Sequence, residues 1–217
     1  MSLDDLVAAA CALVPASGRA ILGLAGVPGA GKSTLAEELV DAIGREYGPG
    51  WVAHVPMDGF HLADVQLERL GVRERKGAPE TFDAAGYAAL LRRLRSETDR
   101  PVYAPGFERT LEQPIAGAMV VEPGARLVIS EGNYLLLGDP AWRGARAAMD
   151  AVWLVDGDDE VRVRRLVARH ERFGKLPEAA ASWVARVDEA NSALIRARSD
   201  PADRVVHNSP EGWRFGD

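Results

Sequence analysis

Lysine is scarce in this chain, with Lys32, Lys76 and Lys175 making three of its 26 basic residues. Cysteine is scarcer still: Cys11 stands alone, so no internal disulfide can form and nothing points to an oxidising compartment. An excess of positive charge is also missing. The net charge is −6, which argues against a general nucleic-acid or anionic-membrane binder, so any anion site must be a local concentration of positive groups. No apolar run approaches the roughly 20 residues that cross a bilayer. Residues 6–14 have the hydrophobicity of a signal-peptide core, but Asp4 and Asp5 precede them where a secretory signal carries Lys or Arg. Leu3, Leu6, Val7, Ala10, Leu13 and Val14 fall at helical spacing. An amphipathic helix packed on the domain is expected, with the cytoplasm as default location.

What is present is an ordinary globular composition, 47% hydrophobic and 27% charged over 217 residues. That length suits one large domain or one domain with a lid, and its core needs no disulfide or metal staple. Short apolar runs at 20–25, 51–55, 127–129, 151–155 and 204–206 alternate with helical patterns at 34–43 and 83–94. Such alternation predicts an α/β fold, a parallel sheet flanked by helices, with ligands beyond the carboxyl ends of its strands. Residues 101–121 carry Pro101, Pro105 and Pro114 and read as a flap or irregular hairpin.

The first run leads into Gly26-Val27-Pro28-Gly29-Ala30-Gly31-Lys32-Ser33, followed by Thr34, which matches GxxxxGK[ST] at every fixed position. Its glycines let backbone N–H groups turn toward phosphate oxygens. Lys32 would meet the β- and γ-phosphates of ATP, and the Ser33 hydroxyl would ligate Mg²⁺. The helix after it adds its positive end to the same site. Asp58 follows the second run. There a carboxylate can take the proton of an acceptor hydroxyl, although Asp58-Gly59 is also a frequent turn pair. His61 is either a substrate contact or a structural histidine. Glu131 closes the third run, where an acid can hold Mg²⁺ or simply end a strand. Asn133 and Tyr134, just after it, are candidates to touch the acceptor, although Tyr134 can equally be a packing residue.

The cradle, the run Met57-Asp58-Gly59-Phe60-His61 and the run Lys76-Gly77-Ala78-Pro79-Glu80-Thr81-Phe82-Asp83 occur in order. Together they resemble the phosphoribulokinase/uridine kinase/pantothenate kinase superfamily over nearly the whole chain. The chain is most similar there to short bacterial kinases labelled fructose transport-system kinase or nucleoside/nucleotide kinase-like. The resemblance implies a P-loop kinase fold with a five-stranded parallel core, Asp58 as catalytic base, and residues 76–83 bordering the acceptor pocket. It also implies a mobile, arginine-bearing lid. The Lys76-Gly77 pattern is nearer to pantothenate kinases, yet the long extra segments of the bacterial ones are missing.

The lid is expected at about 162–182. Arg162, Arg165, Arg169 and Arg172 fall at steps of three and four, so they share a helix face. For any one of them a solvated surface is the simpler reading. As a set they suit closure over a triphosphate, with Arg165 and Arg169 the best candidates. Farther on, Asn191 lies on an apolar face and needs a partner, either Asp188 or a ligand. Residues 205–210 are a weak candidate for the adenine wall.

Three function classes compete: a metabolite kinase, a nucleotide switch, and a nucleotide-binding regulator without catalysis. A switch lacks support because no Asn-Lys-x-Asp sequence occurs. The kinase reading is favoured by Lys32, Ser33, Asp58 and Glu131 together. Its acceptor is a small molecule, with a fructose-like sugar or a nucleoside preferred and pantothenate the alternative. A nucleoside would stack on Phe60, Tyr103 or Phe107. Pantothenate would draw on Lys76 or Arg109, and a phosphosugar on Arg73, Arg75 and Arg109. Glu80 completes the candidate acceptor residues. Base rates alone favour a homodimer.

Overall fold

Five of the apolar runs become parallel strands of one sheet. The computed structural model describes residues 2–216. Its strands are β1 (Ala20–Ala25), β2 (Val52–His54), β3 (Val102–Glu108), β4 (Gln113–Val121), β5 (Leu127–Gly132), β6 (Ala151–Gly157), β7 (Arg204–Ser209) and β8 (Gly212–Phe215). The main sheet runs β2-β5-β1-β6-β7-β8, parallel from β2 through β7. The expected five-stranded parallel core is there, and the antiparallel β8 extends it. β1 and β5 are buried at every residue, as a strand covered on both faces should be.

The helices are α1 (Leu3–Cys11), α2 (Lys32–Tyr47), α3 (Asp64–Leu70), α4 (Ala84–Ser96), α5 (Pro140–Arg146), α6 (Asp159–Arg172), α7 (Pro177–Trp183) and α8 (Glu189–Arg198). α1 buries Leu6, Val7 and Ala10, the face its spacing predicts. α4 begins at Asp83, whose side chain accepts from the Gly86 N–H at 2.8 Å, and it buries Tyr87, Leu90, Leu91 and Leu94. No helix is long and apolar enough to cross a membrane among the described residues. Between α7 and α8, residues Val184–Asp188 form a π-helical turn, and its last residue, Asp188, lies 2.9 Å from His170 of α6. That insertion has no sequence signal we can identify.

The proline-bearing stretch is an antiparallel hairpin of β3 and β4, separate from the main sheet. Its register shifts between Ala104 and Gly106, around Pro105, which has no N–H to give a ladder. The hairpin backbone lies directly on the loop after β2. A Cβ at Gly59 would fall 2.2 Å from the Pro105 carbonyl oxygen, so only glycine permits this approach.

Candidate active site

The cradle bends from the end of β1 into α2. Gly29 and Gly31 take φ of +78° and +104°, and a Cβ on Gly31 would fall 2.5 Å from the Asn208 amide nitrogen. That amide donates to the Ala30 carbonyl at 2.9 Å, while Trp213 Nε1 donates to Glu38 at 2.7 Å. The β7–β8 end of the sheet therefore braces the cradle from behind. By sequence the loop at 205–210 is only a weak candidate for the adenine wall. The brace joins residues 178 apart, and nothing local announces it. Gly26 leads the turn, and Thr34 is exposed in the first turn of α2.

Lys32 is buried, with Nζ donating to the Val27 carbonyl at 3.0 Å. Burial lowers its pKa to about 8, against the opposing pull of the Glu131 and Asp58 charges. Ser33 Oγ donates to Glu131 Oε1 at 2.9 Å, so the first turn of α2 and the end of β5 meet across one hydroxyl–carboxylate contact. Burial and the charge of Asp58 push the Glu131 carboxyl above the ordinary range, opposed by Lys32 and Ser33. A hydroxyl beside a carboxylate fits a hard cation. No group of three or more His, Cys, Asp or Glu side chains suited to a metal occurs among the described residues. Phosphate oxygens and water would have to complete the coordination, which is the habit of Mg²⁺.

Asp58 lies in a single 3₁₀ turn, Met57–Phe60, just beyond β2. Its carboxylate receives Arg109 Nη2 at 3.4 Å, and its charge reaches Lys32 and Glu131. The structure thus gathers Lys32, Ser33, Asp58, Arg109 and Glu131 at one end of the sheet. His61 sits beside them, with Nδ1 2.8 Å from the Asp58 carbonyl oxygen. Its ring lies 3.9 Å from Phe82 and 4.7 Å from Phe107, and burial lowers its pKa. Two backbone bonds, Leu62 N–H to Thr81 O at 2.8 Å and Asp83 N–H to Phe60 O at 2.9 Å, join this loop to residues 76–83.

The basic residues of that second loop are already paired. Lys76 Nζ lies 2.6 Å from Asp64 and also donates to the Glu112 carbonyl. Arg75 pairs with Glu80 at 2.7 Å, and Arg73 pairs with Asp64 and Glu68, each at 3.1 Å. Tyr103 is 64% exposed on the hairpin, whereas Asn133 is half-buried beyond Glu131.

The four arginines read as one lid face divide in the structure. Arg162 is buried, pairing with Asp159 at 2.9 Å and Glu189 at 2.7 Å, and its Nη1 donates to the Pro28 carbonyl and to Ser192, each at 3.3 Å. It supports the cradle from below. Arg165, Arg169 and Arg172 are exposed, and the charge of Arg169 reaches Lys32. Asn191 also departs from expectation. Its amide donates at 3.3 Å to the carbonyl of Gly77, not to Asp188.

Residues 21–212 match the phosphoribulokinase/uridine kinase family. A Schizosaccharomyces pombe protein with the provisional name uridine kinase is 38% identical over 173 residues, spanning 78% of this chain and 74% of its own. A pantothenate kinase of Leifsonia xyli subsp. xyli is 31% identical over 161 residues, spanning 74% of this chain and 49% of its own. A crystal structure from Silicibacter sp. TM1040, provisionally named a fructose transport system kinase, superposes with a TM-score of 0.84. It is 37% identical and covers 94% of this chain and 98% of that one.

Proposed function

The chain belongs to the phosphoribulokinase/uridine kinase family of P-loop kinases, and from that premise we propose that it moves the γ-phosphoryl group of ATP onto a hydroxyl of a neutral, polyhydroxylated metabolite, a fructose-like sugar or a nucleoside. The observation that carries this reading is the meeting of Asp58 with Lys32, Ser33 and Glu131 at one end of the parallel sheet. Transfer to an alcohol requires a carboxylate at the acceptor oxygen and positive groups at the phosphates, in close quarters. Asp58 would orient the hydroxyl and take its proton. Lys32 and the backbone N–H groups of 29–33 would hold the β- and γ-phosphates. Ser33 and Glu131 would hold Mg²⁺, which supplies charge neutralisation on the phosphate oxygens. Arg169, with Arg165 beside it, would carry positive charge toward the transferring group.

A neutral acceptor is favoured by the ion pairs of the second loop. Arg73, Arg75 and Lys76, which an anionic acceptor would need, each have a carboxylate partner. A pantothenate-like acceptor would have to draw Arg109 away from Asp58. His61 and Asn133 would be the neutral donors and acceptors that meet its hydroxyl groups. The test is ADP release from Mg·ATP across fructose, other sugars, nucleosides, pantothenate and ribulose 5-phosphate. One neutral acceptor raising turnover well above the water background is the expected result. Selective turnover of pantothenate or ribulose 5-phosphate would overturn the neutral-acceptor reading, and ATP binding without turnover on any acceptor would favour a regulator.

A further inference from the structure

The carbonyl oxygen of Gly77 receives two side-chain donors from distant parts of the chain. The Tyr134 hydroxyl donates to it from the turn after β5, and Asn191 donates from α8 at 3.3 Å. Both donors are buried, Tyr134 at 0% exposure and Asn191 at 7%. The Tyr134 ring is fixed between Trp142, at 5.3 Å, and Phe82, at 5.6 Å. Gly77 itself has φ of +99°, and its N–H donates to Thr81 Oγ1 at 3.0 Å. Thr81 Oγ1 donates in turn to the Ala78 carbonyl at 2.7 Å, so the turn is closed on itself.

The helix that supplies Asn191 is tied to the nucleotide side as well. Next to Asn191, Ser192 accepts from Arg162 Nη1, which also donates to the Pro28 carbonyl of the cradle. α8 is therefore bonded to the phosphate cradle through one residue and to the 76–83 loop through its neighbour.

We propose that Tyr134 and Asn191 are positioning residues that clamp the Gly77 carbonyl and so set the acceptor wall in register with the nucleotide cradle. The inference rests on the reading of residues 76–83 as a wall of the acceptor site. Neither side chain needs to touch substrate. Each removes motion from a loop whose backbone is bonded to the Asp58 loop, so their effect falls on acceptor capture. Losing one neutral hydrogen bond of this kind changes an equilibrium about three- to tenfold.

The experiment compares Tyr134→Phe and Asn191→Leu with the unaltered full chain. Hydrogen–deuterium exchange is read without ligand, and kinetics use fructose and uridine as acceptor probes. In each variant the amides of 76–82 should exchange about three- to tenfold faster while those of α2 hold their rate. KM for whichever probe is phosphorylated should rise by a similar factor, with KM for Mg·ATP unmoved. Unchanged loop exchange in both variants would overturn the clamp. So would faster exchange spread equally through α2, or an equal rise in both KM values, because those mark general loosening. Should the unaltered protein phosphorylate neither probe, the proposed acceptor class fails, and loop exchange by itself decides the clamp.

Discussion

Replacing Arg162 by Met should lower stability and leave the chemistry to other arginines. The guanidinium is 2% exposed and joins Asp159, Glu189, Pro28 and Ser192. A hydrogen bond to a charged group contributes about 1.5–3 kcal/mol, and removing one partner of a buried pair costs about 3–5 kcal/mol. Two features reduce that cost here. Asp159 is 54% exposed and also pairs with Arg196 at 2.5 Å, so its charge keeps water and a partner, whereas the Glu189 oxygen facing Arg162 is buried. One guanidinium nitrogen, Nη2, is buried without a partner, so its desolvation is relieved by the substitution. Methionine also retains most of the apolar stem that packs beneath Gly29. The net loss should be about 2–4 kcal/mol, which for a chain of this length lowers Tm by about 4–16 °C. Differential scanning calorimetry of Arg162→Met and Arg169→Ala side by side checks this. Arg169→Ala, at an exposed position, should hold Tm within about 1 °C while phosphoryl transfer drops steeply. A normal Tm for Arg162→Met, or a large Tm loss for Arg169→Ala, would refute the division of the two arginines into support and lid.

Lys32→Ala should abolish phosphoryl transfer while the circular dichroism spectrum stays native, since the lost buried stem and the lost bond to the Val27 carbonyl are partly offset by relief of a buried charge; normal turnover would sink the cradle assignment. Asp58→Asn should cut transfer by roughly 10² to 10⁴ while ATP affinity, read by calorimetric titration, stays close to that of the unaltered protein. A rate that barely moves would make Asp58 a turn residue. Gly59→Ala should destabilise the fold by about 1–3 kcal/mol, because its new methyl would displace the Pro105 carbonyl; a denaturant midpoint equal to the original would contradict the close approach.

What could be read from the sequence follows from what is local. The cradle is eight contiguous residues with fixed chemistry, and the strand before it and helix after it are written in period and composition. Asp58 and Glu131 stood out because each ends an apolar run, and strand ends are where such sheets place their ligands. Partners across the chain were hidden. Lys76 is a candidate contact for an anionic acceptor, but α3 brings Asp64 to 2.6 Å from it. Arg162 shared a helical spacing with Arg165 and Arg169, yet a spacing gives a face and not what lies against it. Asn191 needed a partner on physical grounds, and the backbone carbonyl that answers is 114 residues away. The four residues of β8 are too few for alternation to register, although Trp213 and Phe215 do alternate inward.

The meeting of Gly59 with Pro105 bears on how such an enzyme can change its surface. The hairpin reaches the Asp58 turn through a main-chain carbonyl, and every amino acid supplies that carbonyl. Side chains on its outer surface, Tyr103, Leu111, Ile115 and Val120 among them, are exposed and play no part in that seat. A lineage could therefore rewrite the hairpin's surface by successive point substitutions, with the reactive carboxylate staying where it is. That surface could diverge among related chains faster than the residues around Asp58.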